Sequence, residues 1–207
     1  NVNQTTNPLI NNLNLPLFEE IRPEHIEPAV LSLLTTLKER LGQLEKLSVP
    51  SWSSLMVPLE EIDRELSAIW GPVSHLLGVK DSPELRKAHD LCREKVIEFL
   101  LNLSQSQPIY SSLKKLMTSK DWGNLSKHQQ RIISKQVQEA ELAGVALKDK
   151  EKEEFKTISQ RLSELSTQFS NNLLDSIKDY DLTLTNKEED RKSTRLNSSH
   201  QIISYAV

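Results

Sequence analysis

Apolar residues along this chain recur three and four positions apart, the spacing that gathers them on one face of an α-helix. The pattern first becomes clear at Ile26, Val30, Leu33, Leu34, Leu37, Leu41 and Leu44. Arg22-Pro23-Glu24-His25 marks where that helix begins, because a proline in the first turn lacks only an N–H that would have had no partner there. Ser48 to Ser51, with Pro50 among them, breaks it. The spacing returns through Leu55, Leu59, Ile62, Leu66 and Ile69, with Pro58 near the start. Gly71-Pro72 is expected to end or kink this second helix, with Val73 to Val79 continuing as a short helical turn.

Asp81-Ser82-Pro83-Glu84 supplies a capping oxygen, an early proline and an acid suited to the helix dipole, and opens a helix with the face Leu85, Ala88, Cys92, Val96, Phe99 and Leu103. Pro108 begins a shorter one through Leu113, Leu116 and Met117. Asp121 to Asn124 reads as a loop. Leu125 to Ala143 is then helical, with Ile133, Val137 and Ala140 on one side and Gly144 as its cap. The last long helix, from about Lys148 to Ile177, carries Phe155, Ile158, Leu162, Leu165, Phe169 and Leu173 in a near-heptad stripe, which suits a wall or spine. Tyr180 to Thr185 alternates polar and apolar positions and is a candidate edge strand. The first 20 residues, rich in Asn and broken by Pro8 and Pro16, read as an extended arm, with Leu13, Leu15, Leu17 and Phe18 available as anchors. The expected class is therefore all-α: long antiparallel amphipathic helices with at most one short C-terminal edge strand.

Composition narrows the chemistry. Only five glycines occur in 207 residues, which leaves few positions for hairpins or phosphate-cradling loops. A net charge of -3 with both signs interspersed gives no footprint for nucleic acid or an acidic membrane. The single cysteine, Cys92, excludes an intrachain disulfide and favours a reducing compartment, so the cytoplasm is the expected location. Neither a signal-like start nor a run of about 20 apolar residues is visible, and a soluble protein is expected.

Candidate catalytic groups are isolated from one another. A zinc peptidase needs His-Glu-x-x-His on one helix face, with the histidines as ligands and the Glu polarising water. No such motif is present. Glu24-His25-Ile26-Glu27 has one histidine and the wrong spacing, and His25, His75, His89 and His128 each read as an ordinary surface or capping residue. Glu60, Glu61, Asp63 and Glu65 form a charged helix face and are assigned to solvation. Cys92 falls in an apolar stripe and is assigned to packing. Trp52, Trp70 and Trp122 stand beside expected helix boundaries and are assigned to anchoring. No catalytic, cofactor-binding or metal-binding residue is therefore expected in this chain.

Several ordered blocks carry a family resemblance. Asn7-Pro8-Leu9 and Ile21-Arg22-Pro23-Glu24-His25-Ile26-Glu27-Pro28-Ala29-Val30 are followed by Ile69-Trp70-Gly71-Pro72-Val73-Ser74-His75-Leu76 and by Val79 to Arg86. Glu141-Leu142-Ala143-Gly144-Val145 and Arg161 to Asp175 continue the series. Together, over Asn7 to Glu189, they resemble the opening of the oligopeptidase A type within the thimet oligopeptidase group of zinc metallopeptidases. The resemblance implies a helical wall that faces a catalytic half across a deep channel and restricts substrates to short unfolded peptides. It also implies that the zinc ligands and the catalytic Glu lie far downstream, so that this portion binds no zinc and is inactive alone. The implied partners are oligopeptide substrates and the missing catalytic half.

Asp190 to His200 and Ile203 to Val207 resemble translated sequencing adapter, with Gln201-Ile202 at the place of a variable index. The expected organisation is thus an arm over 1–20, a helical domain over 21–189 and a tail of non-natural, disordered sequence over 190–207. Setting the tail aside removes three basic residues and one acidic one, which leaves the rest more negative. The competing reading is a stand-alone interaction module whose Phe155 to Leu173 stripe binds a partner helix.

Overall fold

A computed structural model describes residues 7–10 and 15–180. Among them are six α-helices: α1 (Pro23–Leu44), α2 (Val57–Val79), α3 (Pro83–Ser104), α4 (Gln107–Met117), α5 (Lys127–Leu142) and α6 (Asp149–Asp179). A π-turn (Trp52–Met56) leads into α2, and a 3-10 turn (Lys120–Asn124) occupies the stretch read as a loop before α5. The fold is all-α, and no strand occurs among the described residues. The candidate strand from Tyr180 to Thr185 falls on residues that, past Tyr180, lie outside them, as does the tail over 190–207.

The chain divides into two compact units, Asn1–Glu164 and Leu165–Val207. In the first, α1 packs against α3 and α2, and α4 packs against α5. The stripes foreseen from spacing supply the core. Ile26, Val30, Leu37, Ile62, Val73, Val96, Phe99, Leu116 and Ile133 are all essentially inaccessible to solvent. Each such side chain contributes roughly 1.5–3 kcal/mol by leaving water.

Helix starts follow local chemistry. The hydroxyls of Ser82, Ser106 and Ser126 accept from the backbone N–H groups of Leu85, Ile109 and Gln129, and each serine precedes its helix directly. At Ser126 the Gln129 side chain returns the favour by accepting from the Ser126 N–H at 2.9 Å, completing a capping box. Ser51 and Ser54 exchange bonds in the same way at the π-turn. There the Val57 N–H reaches back five residues to the Trp52 carbonyl. A wide turn just before Pro58 suits a ring that, in regular α-geometry, crowds the carbonyl four residues earlier.

Three expectations need correction. Gly71-Pro72 does not end the second helix, since α2 runs unbroken to Val79 with Pro72 inside it. Ile69, Pro72, Val73 and Leu76 are all buried, and that burial outweighs the hydrogen bond the proline cannot make. The turn between α2 and α3 comes later, where Arg86 forks onto the Asp81 carboxylate at 2.8 and 2.7 Å.

The N-terminal arm is not held by the leucines proposed for it. Leu15 and Leu17 are exposed, Phe18 is 37% exposed with its ring against His75, and Leu13 lies outside the described residues. Asn7, Pro8 and Leu9 are the buried residues. The Asn7 amide donates to the His25 carbonyl at 2.8 Å, while its oxygen accepts from the Leu9 N–H at 3.0 Å. Polar bonding to the first turn of α1 and burial of Leu9 in the core thus do what Leu15 and Leu17 were expected to do. The third correction, at Trp70, follows from the first: this residue sits within α2 and not at its boundary.

Candidate functional site

The histidines go to separate places. His25 lies in the first turn of α1, where its Nδ1 accepts from the Arg22 N–H at 3.2 Å and so acts as a cap. The His75 ring lies 5.3 Å from that of Phe18. His128 is exposed at the start of α5. His89, expected at the surface or in a cap, is instead buried and stacked on Trp70, with ring centroids 4.8 Å apart. Its position on α3, four residues after Leu85 and three before Cys92, places it on the packed face. Burial pushes its pKa below the ordinary value, against a weaker opposing pull from the Asp90 carboxylate.

Beside His89 lies a small polar cluster. Asp90 stands 3.5 Å from the His89 Nδ1 and 3.6 Å from the Arg93 Nε, too far for good hydrogen bonds. The His89 Nδ1 and the Arg93 Nε and Nη1 are buried without a hydrogen-bond partner. Cys92 is fully buried, and desolvation pushes its thiol up to about 11, so it is protonated and inert at neutral pH.

Zinc, which the resemblance implies for a complete enzyme, finds no fitting donor set here. No group of three or more His, Cys, Asp or Glu side chains could hold a metal ion among the described residues. The described histidines lie on four different helices, and the buried one, His89, is stacked against the Trp70 indole. No helix of the described residues is long and apolar enough to cross a membrane.

Two features do have the character of surfaces made for something else. The first is α6. It has no buried residue, and its start is tied to α3 by Lys156 donating to Glu98 at 2.8 Å. In the second unit, Leu165, Phe169, Leu173 and Ile177 follow one another at intervals of four and are all exposed, Phe169 by 70%. The second feature is a cavity of about 530 Å³ in the first unit, between α2, the α3–α4 corner and α5. Met56, Leu59, Ile109 and Leu113 form its buried floor, and Glu60, Asp63 and Glu139 stand at its exposed edge. At the corner the Ser106 hydroxyl donates to Glu45 at 2.7 Å, and Tyr110 donates to Glu141 at 2.7 Å. The stripe of α6 was singled out in the sequence as the partner-binding face of the competing reading, whereas the cavity was not singled out. The cavity's acids were read as a solvated face, because nothing in the spacing of α2 says which residues of α4 and α5 come to stand beside it.

Comparison with known proteins places this geometry. The family model for the neurolysin/thimet oligopeptidase N-terminal domain matches residues 30–152, more than half of the chain. A probable cytosolic oligopeptidase A of Arabidopsis thaliana is 43% identical over 185 residues, covering 89% of this chain and 26% of the relative. The organellar, chloroplastic/mitochondrial oligopeptidase A of the same plant is 40% identical over 89% of this chain and 23% of its own length. Oligopeptidase A of Escherichia coli is 34% identical, with 89% and 27% covered. The chain thus spans about a quarter of the length of the curated relatives it matches. The similarity over 89% of the chain, together with the domain model, shows that the chain belongs to the neurolysin/thimet oligopeptidase family and carries its N-terminal domain.

Proposed function

We propose that this chain is the N-terminal, channel-wall portion of a zinc metalloendopeptidase that hydrolyses short peptides in the cytoplasm. In this reading residues 21–189 form one helical domain, residues 1–20 an arm, and residues 190–207 a tail derived from adapter sequence. The zinc, its ligands and the general base belong to a downstream half. A zinc ion held there would polarise the scissile carbonyl and activate water. The residues of this chain contribute exclusion: long packed helices stand at one side of a channel and keep folded proteins from the cleavage centre.

The observation that carries the proposal is the uncovered face of α6. A single helix is marginal in water unless its apolar stripe packs against something, and Leu165, Phe169, Leu173 and Ile177 have no cover among the described residues. In this reading the part of the full-length protein that lies beyond this chain supplies the covering body. The rival reading, a stand-alone module that docks a partner helix on that stripe, draws on the same exposure. Reading the parent genomic DNA past codon 189 separates them: an open frame that reaches His-Glu-x-x-His supports the peptidase, and a natural stop there sinks it. On the peptidase reading, the purified chain incubated with zinc and a fluorogenic peptide shows no cleavage above background.

A further inference from the structure

We propose that the cavity between α2, α4 and α5 is a binding site for an oligopeptide carrying a bulky apolar residue beside a lysine or arginine. Its volume of about 530 Å³ falls within the range of ligand pockets, which are mainly apolar with a few placed polar groups. Met56, Leu59, Ile109 and Leu113 give a floor that only an apolar group covers without loss. Ile132, 47% exposed at the side of the cavity, is an apolar residue left half in water. Trp52 lines the same space, and indole is the aromatic group that best attracts a cation.

Charge selects the occupant. The cavity has three acidic lining residues, Glu60, Asp63 and Glu139, and none that is basic. Two lysines touch its margin. Lys135 stands 3.8 Å from Glu139 with both side chains about two-thirds exposed, a loose pair, and Lys114 lies 5.8 Å from the centre of the Tyr110 ring. Glu60 and Asp63, one turn apart on α2, have no ion-pair partner among the described residues. A ligand that fills the floor with hydrocarbon and brings a cation to these two carboxylates therefore satisfies both halves of the site. The choice of a peptide over another amphipathic cation rests on the peptidase reading above, whereas the preference for positive charge does not.

The test uses the whole chain, labelled for NMR, with acetyl-Leu-Lys-Leu-amide, acetyl-Leu-Glu-Leu-amide and octylamine as probes. The lysine peptide should shift resonances of residues around the cavity and bind about ten-fold more tightly than the glutamate peptide. The pair Glu60→Gln and Asp63→Asn, both at exposed positions, should weaken the lysine peptide about five-fold without changing the circular dichroism spectrum. Ile132→Lys sets a tethered cation at the mouth and should abolish binding. Equal affinity for the two peptides, or shifts scattered away from the cavity, overturns the proposal. Octylamine binding as tightly as the lysine peptide overturns its peptide half. Cavity resonances that move with protein concentration alone assign the space to a second copy of the chain and overturn it too. A stop near codon 189 would remove the peptidase but leave the charge preference standing, so the two failures are told apart.

Discussion

Gly144 has a φ of 86° and closes α5 by a paired set of bonds, from the Val145 N–H to the Ala140 carbonyl and from its own N–H to the Glu141 carbonyl. That Schellman geometry needs a residue in the left-handed region, where a Cβ is strained, and here a Cβ would also run into the Leu147 side chain. Gly144→Ala should therefore lower stability by about 1–2 kcal/mol. A urea titration with an unchanged midpoint would contradict this. His89 makes a second prediction at this scale. Its folded pKa is lowered, so below the ordinary value of 6.5 the unfolded chain takes up a proton that the folded one resists. Stability contributed by the neutral ring is present above 6.5 and falls as the pH drops toward the lowered folded value. A thermal melt should show a larger loss between about pH 7.5 and 5.5 for the natural chain than for His89→Gln. Parallel losses in the two proteins would count against it.

Helix ends show how far a chain can be read locally. Ser82-Pro83 and Ser126 with Gln129 are cap signals whose chemistry is complete within four residues, and both caps form. Ser126→Ala should cost about 1 kcal/mol, because it strands the Gln129 N–H and half of the box. Chemical denaturation of the variant measures this directly, and no shift would mean that the box is idle. Gly71-Pro72 reads differently, because its local signal for a break is overruled by distant partners. Pro72 and Val73 are buried, and the apolar face of α2 is worth more unbroken than the single hydrogen bond the proline forgoes. The arm is the reverse case. Leu15 and Leu17 looked like anchors, yet the arm is held by Leu9 in the core and by a buried Asn7 amide bonded to a carbonyl 18 residues away, a polar contact that no apolar periodicity records.

In the whole molecule, the main energetic mismatch lies on α6. Ile158 and Leu162 in the first unit, and Leu165, Phe169, Leu173 and Ile177 in the second, stand in water, and exposed apolar residues of this size invite association. The purified chain should self-associate or bind a hydrophobic dye, and Phe169→Glu with Leu173→Glu should reduce both. Sedimentation and dye fluorescence measure the two effects. A monomer that binds no dye and unfolds in one sharp transition would refute the expectation. Neither variant position contributes to the core of the first unit, so the change reads on the surface and not on folding.

Spacing alone was enough for the all-α class, for the approximate extents of the helices other than the end of α2, and for most of the buried face of α1 to α5, because helix formation and amphipathicity are written in residues three and four apart. The ordered blocks were enough for the family. What required the tertiary structure were facts of neighbourhood. These include the burial of His89 against Trp70, the continuity of α2 through Pro72 and the docking of Asn7. They also include the meeting of Glu60 and Asp63 with the floor supplied by α4. Each depends on which element comes to lie beside which, and that choice is made by the sum of weak contacts between segments distant in the chain.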